Sequence, residues 1–290
     1  MDPFELRLII ISTQNVGMDT RFWGPSGWRL LHLILETPLE ERNEKQIKTL
    51  FETLPYILPC KFCRYSLSTY YEKHPIPNNF ADMSHWLYVI HNEVNGKLRS
   101  QDIPTEDNPT YEEVKKRYKE WTSMPCSSTQ MLGWDFLFSV ANTTPSKSSR
   151  SSPMEEAPAI LNTDVLRNRW NTMTYKERLP YVQKWWQTIG QVLPFKPWRK
   201  AWSVATQKEG QAPLNKGRRV TLNWLFRMEQ TICKTMAEQA PHNSFYGLCK
   251  EVSAFSSDCG KKTNPRVKTC RAKKEKARAT LRRLRNSNVQ

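Results

Sequence analysis

The heptapeptide Leu58-Pro59-Cys60-Lys61-Phe62-Cys63-Arg64 holds the only Cys-x-x-Cys among the seven cysteines of this 290-residue chain. Pro59 in front and Arg64 behind predict the start of a helix here. At a helix N-terminus both sulfurs lie near unpaired backbone N–H groups. The helix dipole and the neighbouring Lys61 and Arg64 then favour the thiolate, the reactive form. The same spacing also serves as half of a zinc site. Zinc needs a second ligand pair, and the nearest candidates, His74, His85 and His91, do not have the H-x3-5-H spacing. From the four residues alone, redox and zinc both stay open.

Working upstream, Glu40 to Leu58 reads as an amphipathic helix with Ile47, Leu50, Phe51 and Leu54 on one side. Before it, Gly24-Pro25-Ser26 signals a turn and a helix start. Trp28, Leu31, His32 and Leu35 then repeat at helical spacing, which puts Trp28 and His32 on one face. An apolar face of this kind usually means core.

Downstream, the Cys-x-x-Cys helix is expected to run to about Lys73. A Pro- and Asn-rich loop, His74-Pro75-Ile76-Pro77-Asn78-Asn79, follows. A fourth helix is expected from about Ala81 to Leu98. Its His91, Asn92 and Asn95, with Lys97 close by, form a dense polar face beside Trp86, Val89, Ile90 and Val94. Buried imidazoles and amides require partners. A bound polar ring system carrying phosphates would supply them, and so would plain solvent. Thr110 to Trp121 is a fifth, shorter, charged helix with Tyr111, Val114, Tyr118 and Trp121 at helical steps.

Taken in order over residues 21–121, Trp-Gly-Pro-Ser-x-Trp-x-x-x-His, Cys-x-x-Cys and Trp-Leu-x-x-x-His-Asn-x-Val-Asn-x-Lys-Leu resemble the Erv/ALR sulfhydryl oxidases. The spacing is similar to that of the compact forms encoded by large DNA viruses. The resemblance implies an all-α fold: a bundle of four helices plus a short fifth that holds FAD beside the Cys-x-x-Cys. It implies catalytic roles for Cys60 and Cys63. It implies FAD contacts from Trp28, His32, His91, Asn92, Asn95 and Lys97, with Arg21, Trp86, Arg117 and Tyr118 as further candidates. No metal is implied.

The resemblance also implies a mechanism. A dithiol in a substrate protein attacks the Cys60–Cys63 disulfide at Cys60, Cys63 lies against the flavin, and O2 takes the electrons and leaves as H2O2. Two departures stand out. Relatives often tie the Cys-x-x-Cys helix to the His-Asn helix with a second disulfide. The matching places here are near Tyr71 and Tyr88, so aromatic packing must serve instead. Relatives often carry Tyr before the Pro-Cys, where this chain has Leu58.

The second half echoes the first. Trp134-Asp135-Phe136-Leu137-Phe138 follows the pattern of Trp28 to His32. Leu193-Pro194-Phe195-Lys196-Pro197-Trp198-Arg199 follows Leu58 to Arg64, and Asn223-Trp224-Leu225 through Gln230 follows His85 to Asn92. The chemical groups are replaced: both redox cysteines become Phe195 and Trp198, His32 becomes Phe138, His91 and Asn92 become Glu229 and Gln230, and Asn95 becomes Cys233. The packing groups persist. This predicts a degenerate oxidase-like domain over 126–258, interrupted by a Ser/Thr/Pro-rich linker at about 141–164. Because compact relatives pair as dimers, it could act as an internal pseudo-dimer partner in place of a dimer, or equally serve substrate or virion binding.

The expected organisation is an extension over 1–20, an FAD-binding oxidase domain over 21–125, the degenerate domain, and a basic tail over 259–290. The net charge of +16 and pI near 9.6 predict attraction to polyanions. Gly260 to Arg285 contributes eleven of those sixteen charges, so the tail is the candidate arm for nucleic acid. Cys259 and Cys270 lie in that polar stretch and could shuttle electrons, although their spacing matches no shuttle pattern. Cys126 has no assigned role, and Cys233 and Cys249 are expected to be buried and inert.

No apolar run approaches the ~20 residues of a membrane helix, and Leu6 to Ile11 lacks the marks of a signal peptide. Seven irregularly spaced cysteines do not form a disulfide framework, and the default compartment is reducing. The resemblance to viral members implies work in the host cytoplasm during virion assembly, and presence in the virion. The contrasting expectation is a non-enzymatic virion or nucleic-acid-binding protein with a vestigial or zinc-holding first domain.

Overall fold

The computed structural model describes residues 19–103, 105–123, 131–145 and 169–255. Among these, every regular element is helical. The extension, Cys126, most of the linker, and the tail with Cys259 and Cys270 lie outside the described residues.

Helix α1 spans Thr20–Leu35 and begins upstream of the Gly-Pro-Ser signal, with Pro25 inside it. Pro25 is the sixth residue of the helix and removes the one hydrogen bond that its N–H would have made to the carbonyl of residue 21. Packing favours the longer helix. Asp19 caps it by accepting the Arg21 N–H at 2.9 Å. Phe22 stacks on Phe255 at 4.4 Å, and the Asp19 N–H donates to the Phe255 carbonyl. The first turn of the chain's described part is thus pinned to its last.

A 3-10 turn at Leu39–Glu41 takes the place of the expected first turn of α2, which runs Glu44–Ile57. Asn43 is the reason: its side chain caps Gln46 N–H and fixes the start there. The predicted face of Ile47, Leu50, Phe51 and Leu54 is buried. Then come α3, Lys61–Lys73, with Cys60 as its N-cap residue; a 3-10 turn at Phe80–Asp82; α4, Met83–Ser100; and α5, Tyr111–Ser123. Helix α1 packs on α4 and α5, and α3 packs on α2 and α4.

The second half contains α6, Trp134–Asn142; the single turn α7, Arg169–Thr172; α8, Tyr175–Val192; α9, Lys196–Glu209; α10, Arg218–Thr235; and α11, Phe245–Ala254. Helix α10 packs on α6 and α9, and α9 packs on α8. That is the neighbour pattern of α4, α1, α3 and α2.

Local geometry repeats as well. Arg64 Nη1 donates to the Leu58 carbonyl at 2.8 Å, and Arg199 Nη1 donates to the Leu193 carbonyl at 2.7 Å. The Trp86 indole N–H donates at 2.8 Å to the carbonyl of His74, the residue that ends α3. The Trp224 indole donates at 2.9 Å to that of Gly210, which ends α9. Helices α4 and α10 each span eighteen residues and each end just before a left-handed residue, Asp102 (φ 48°) and Ala237 (φ 56°).

The halves share one apolar core. Corresponding helices meet: α2 lies against α8, and α1 against α6. The first pair is antiparallel, since Tyr56 stacks on Tyr181 at one end while Gln46 faces Thr188 at the other. At the second pair a Cβ on Gly27 would meet Phe136, and one on Gly133 would meet Leu30. Gly27 and Gly133 occupy matching places in the repeat, as do Leu30 and Phe136, so the contact is reciprocal.

Candidate functional site

A row of four rings crosses the first half from α4 through α1 to α5. Trp28 stacks on His91, with centroids 4.0 Å apart and planes 10° apart. His91 Nδ1 faces His32 Nε2 at 3.3 Å. His32 stacks on Tyr118 at 4.8 Å and 9°. One ring nitrogen of the histidine pair donates and the other accepts, so the contact requires at least one neutral ring. His32 is only 3% exposed. Burial, then the nearness of His91 and Arg117, holds its pKa well below the usual histidine range, and burial brings His91 down to about 4. Burial pushes the Tyr118 phenol up to about 12, against the pull of Arg117 and Arg29. The row is therefore uncharged at neutral pH.

On the α3 side of α4, a cleft of about 480 Å³ is lined by Tyr70, Val89, Asn92, Glu93, Gly96, Lys97 and Ser100. A Cβ on Gly96 would meet nothing within 4 Å, so the floor of the cleft is open there. Lys97 Nζ touches Ser66 Oγ of α3. Glu93 is held by Lys73 and by His74 Nε2 at 2.8 Å, which keeps its carboxyl below the usual range.

The polar face predicted for the fourth helix is thus divided. Lys97 is six positions from His91, about one and two-thirds turns, and points to the cleft while His91 turns to α1. Asn92 lines the cleft. Asn95 Nδ2 donates to Asn108 Oδ1 at 3.0 Å.

Cys60 and Cys63 are half-buried at the start of α3 and pack against the core. The Cys63 and Arg64 N–H groups donate to the Cys60 carbonyl, closing the first turn. Arg64 is buried and reaches back to Leu58. Tyr70 lines the cleft and, seven positions after Cys63, shares its side of α3. Burial, then Glu93, then the Cys63 sulfur push its phenol up to about 12.

The other expected residues fall in different places. Arg21 pairs with Asp19 at the start of α1. Trp86 is in the core, edge-on to Phe51 and Tyr71. Arg117 flanks the His32–Tyr118 stack. Leu58 is a core residue. At the places of the absent second disulfide, Tyr71 packs on Trp86 and so ties α3 to α4, whereas Tyr88 donates to the Pro109 carbonyl. Cys233 is buried and its thiol pushed up to about 12 by that burial, while Cys249 is half-buried.

Sequence reasoning did not name Tyr70, Glu93, Gly96 or Ser100. The signal was present, since residues 89, 93, 96 and 100 follow helical spacing. Among the described residues, no three His, Cys, Asp or Glu side chains gather to hold a metal ion, and no helix is long and apolar enough to cross a membrane.

Residues 25–119 match the model of the Erv1 / Alr family. Over 103 residues the chain is 31% identical to the FAD-linked sulfhydryl oxidase of one African swine fever virus isolate, covering 34% of this chain and 81% of that protein. This chain belongs to the Erv1/Alr family. It is also 32% identical over 107 residues to the enzyme of a second isolate, with the same coverage. It is 29% identical over 85 residues to a probable FAD-linked sulfhydryl oxidase of Acanthamoeba polyphaga mimivirus, covering 27% of this chain and 59% of that protein. No solved structure matches the chain. The relatives are viral proteins, and the stretch matching the family model, about a third of the chain, holds the ring row and the Cys-x-x-Cys.

Proposed function

We propose that this Erv1/Alr protein is an FAD-linked thiol oxidase whose first half carries the chemistry. The observation that carries the reading is that α4 presents a cleft lined by an amide and a cation toward α3, the helix that begins at the Cys60–Cys63 turn, and a row of neutral rings toward α1. That donor set fits FAD. Lys97 and Asn92 suit the phosphates and polar chain, and the open floor at Gly96 leaves room for them. Planar Trp28, His91, His32 and Tyr118 suit a flat ring system and bring no charge to it. Asn95 bonds Asn108 and Arg117 lies by the His32–Tyr118 stack, while Arg21 pairs with the capping Asp19 and Trp86 packs in the core. When bound, FAD supplies a two-electron acceptor for the reduced cysteine pair and passes the electrons to O2, giving H2O2.

The remaining steps belong to the chain. A substrate thiolate attacks Cys60 Sγ of the Cys60–Cys63 disulfide, releasing Cys63 as thiolate and forming a mixed disulfide. The second substrate thiol, deprotonated, displaces Cys60, so the substrate leaves oxidised and the pair is left reduced. Cys60 is assigned as the attacked sulfur because it is the N-cap residue, nearer the start of the helix. Cys63, one turn in, faces the Tyr70 side.

We further propose that residues 21–125 form the oxidase domain and 126–258 a degenerate copy that serves as its internal partner. The repeated arginine and tryptophan hydrogen bonds, the matched helices and the reciprocal glycine contacts support this. A role in disulfide formation during virion assembly, in the host cytoplasm, is part of the same proposal, and the viral source of the relatives is what suggests it. The tail from Lys261 is proposed to hold a polyanion, which a steep loss of binding with salt would reveal.

An absorption spectrum of the purified protein, before and after anaerobic dithiothreitol, tests the main reading. The expected result is a bound-flavin spectrum that bleaches and recovers on admitting air. A protein that stays colourless after FAD is supplied would instead favour a non-enzymatic nucleic-acid-binding protein.

A further inference from the structure

Helix α2 ends at Ile57, two residues before the Pro-Cys, and its last carbonyls have no partner within the helix. One of them is met from the other half of the molecule. Arg178 of α8 donates from Nη1 to the Tyr56 carbonyl at 2.8 Å. Arg178 is only 6% exposed, and its Nε has no hydrogen-bond partner among the described residues. Its guanidinium lies over the Tyr175 ring at 5.3 Å. The face-to-face Tyr56–Tyr181 stack at 3.6 Å, with Trp170 of α7 against Tyr56 at 4.8 Å, closes the site. Arg64 is close by, holding the Leu58 carbonyl. Two guanidiniums therefore grip carbonyls two residues apart, directly upstream of Cys60.

The opposite end of the α2–α8 pair is built differently. In the register that matches Leu58 with Leu193, Arg178 corresponds to Asn43, which caps its own helix. Arg199, the counterpart of Arg64, is paired with Glu41, whereas Arg64 has Arg178 for a neighbour. Burying a guanidinium beside another is costly: burial, then Arg64, brings the Arg178 pKa down to about 9. At the end that leads into the cysteines the two guanidiniums lie side by side.

We propose that Arg178 is a positioning residue for the redox turn: by holding the Tyr56 carbonyl it fixes the path of Leu58-Pro59-Cys60, so the reactivity of the cysteine pair depends on a helix of the other half. This rests on the thiol-oxidase reading above. The guanidinium also completes a cationic end for α2, where helix carbonyls concentrate negative charge. Its loss frees the turn and moves Cys63 relative to its electron acceptor, and small misplacements of reacting groups are expensive.

The test uses the full chain as wild type, Arg178→Met and Arg178→Lys. Flavin content reports the fold of the first half. Two readings report positioning: the rate of anaerobic bleaching by dithiothreitol, and the pH profile of iodoacetamide labelling of the reduced cysteines. Arg178→Met is expected to keep its flavin, bleach about tenfold more slowly, and label with a profile moved to higher pH. Arg178→Lys, which keeps a charge and a donor, is expected to recover most of the rate.

Wild-type rate and profile in Arg178→Met would overturn the inference and leave the oxidase reading intact. A wild-type protein that never bleaches would overturn the oxidase reading itself. If the methionine variant does not fold, Arg178→Gln takes its place, with the same two readings deciding.

Discussion

His32 Nε2 and His91 Nδ1 face each other at 3.3 Å between Trp28 and Tyr118, and neither ring carries charge at neutral pH. A histidine whose folded pKa is depressed is protonated first in the unfolded chain. Its contribution to stability is complete above the unfolded value near 6.5 and is lost as pH falls toward the folded one. For His91 that window runs from 6.5 down to about 4. The expected loss across it is about 3 kcal/mol. Asp135, whose carboxyl burial pushes up to about 6, works in the opposite direction. The informative quantity is therefore the difference between wild type and His91→Asn, from urea unfolding of the apoproteins between pH 4 and 8. That difference should shrink on acidification, and a constant difference would contradict the neutral pair.

The crossing of α1 and α6 depends on two glycines in matching positions. A Cβ at Gly133 would lie 2.6 Å from Leu30 Cδ2, and the residue has φ 103°. A Cβ at Gly27 would lie 3.2 Å from Phe136 Cδ2, with ordinary helical backbone. Gly133→Ala is expected to cost about 2–4 kcal/mol, combining backbone strain with overpacking, and Gly27→Ala about 1 kcal/mol. Gly24 has open space around its Cβ position. Gly24→Ala should be neutral, or stabilising by up to ~1 kcal/mol. Thermal melts of the three variants give the order, and equal melting for Gly24→Ala and Gly133→Ala would refute this account of the crossing.

Much of this arrangement was legible from residues alone, because it rests on short periodic patterns. Trp28 and His32 share a face four positions apart, and Ile47, Leu50 and Phe51 form the predicted buried stripe. Helix starts were less legible: Pro25 lies inside α1 because Phe22 and Phe255 meet across 233 positions, which no local signal carries. The site face of α4 was read as one surface, but its residues divide between the cleft and α1. Arg178 was invisible, since its meaning comes from a partner carbonyl 122 residues away.

If Cys60 is the sulfur attacked by substrate, the two serine variants must differ. Cys63→Ser leaves Cys60 able to hold a substrate thiol with nothing inside the protein to displace it. Cys60→Ser removes the accessible sulfur. Incubation with an oxidised small thiol followed by mass spectrometry should show a stable adduct on Cys60 in Cys63→Ser, and at least tenfold less adduct on Cys63 in Cys60→Ser. Equal adducts would mean that either sulfur meets substrate, and the assigned order of attack would be wrong.

The degenerate-copy reading makes a stoichiometric prediction. Where the first half places His32 and His91, the second places Phe138 and Glu229. Glu229 is fully buried and bonds His242 Nδ1 at 2.8 Å, and His242 stands edge-on to Phe138 at 5.0 Å. Gln230, the counterpart of Asn92, donates to the His242 carbonyl. The space matching the ring row is thus taken by an internal carboxylate–imidazole pair, and burial of Glu229 leaves its charge dependent on His242. A cofactor there would have to displace both groups and leave a buried carboxylate without a partner, which is costly. The full chain should therefore bind one FAD, measured as flavin absorbance against protein concentration. His91→Ala, which breaks the ring row of the first half, should lose that flavin completely. Two flavins per chain would show that the second half still holds a working site, and a single flavin retained by a folded His91→Ala would show that the ring row is not what holds the cofactor.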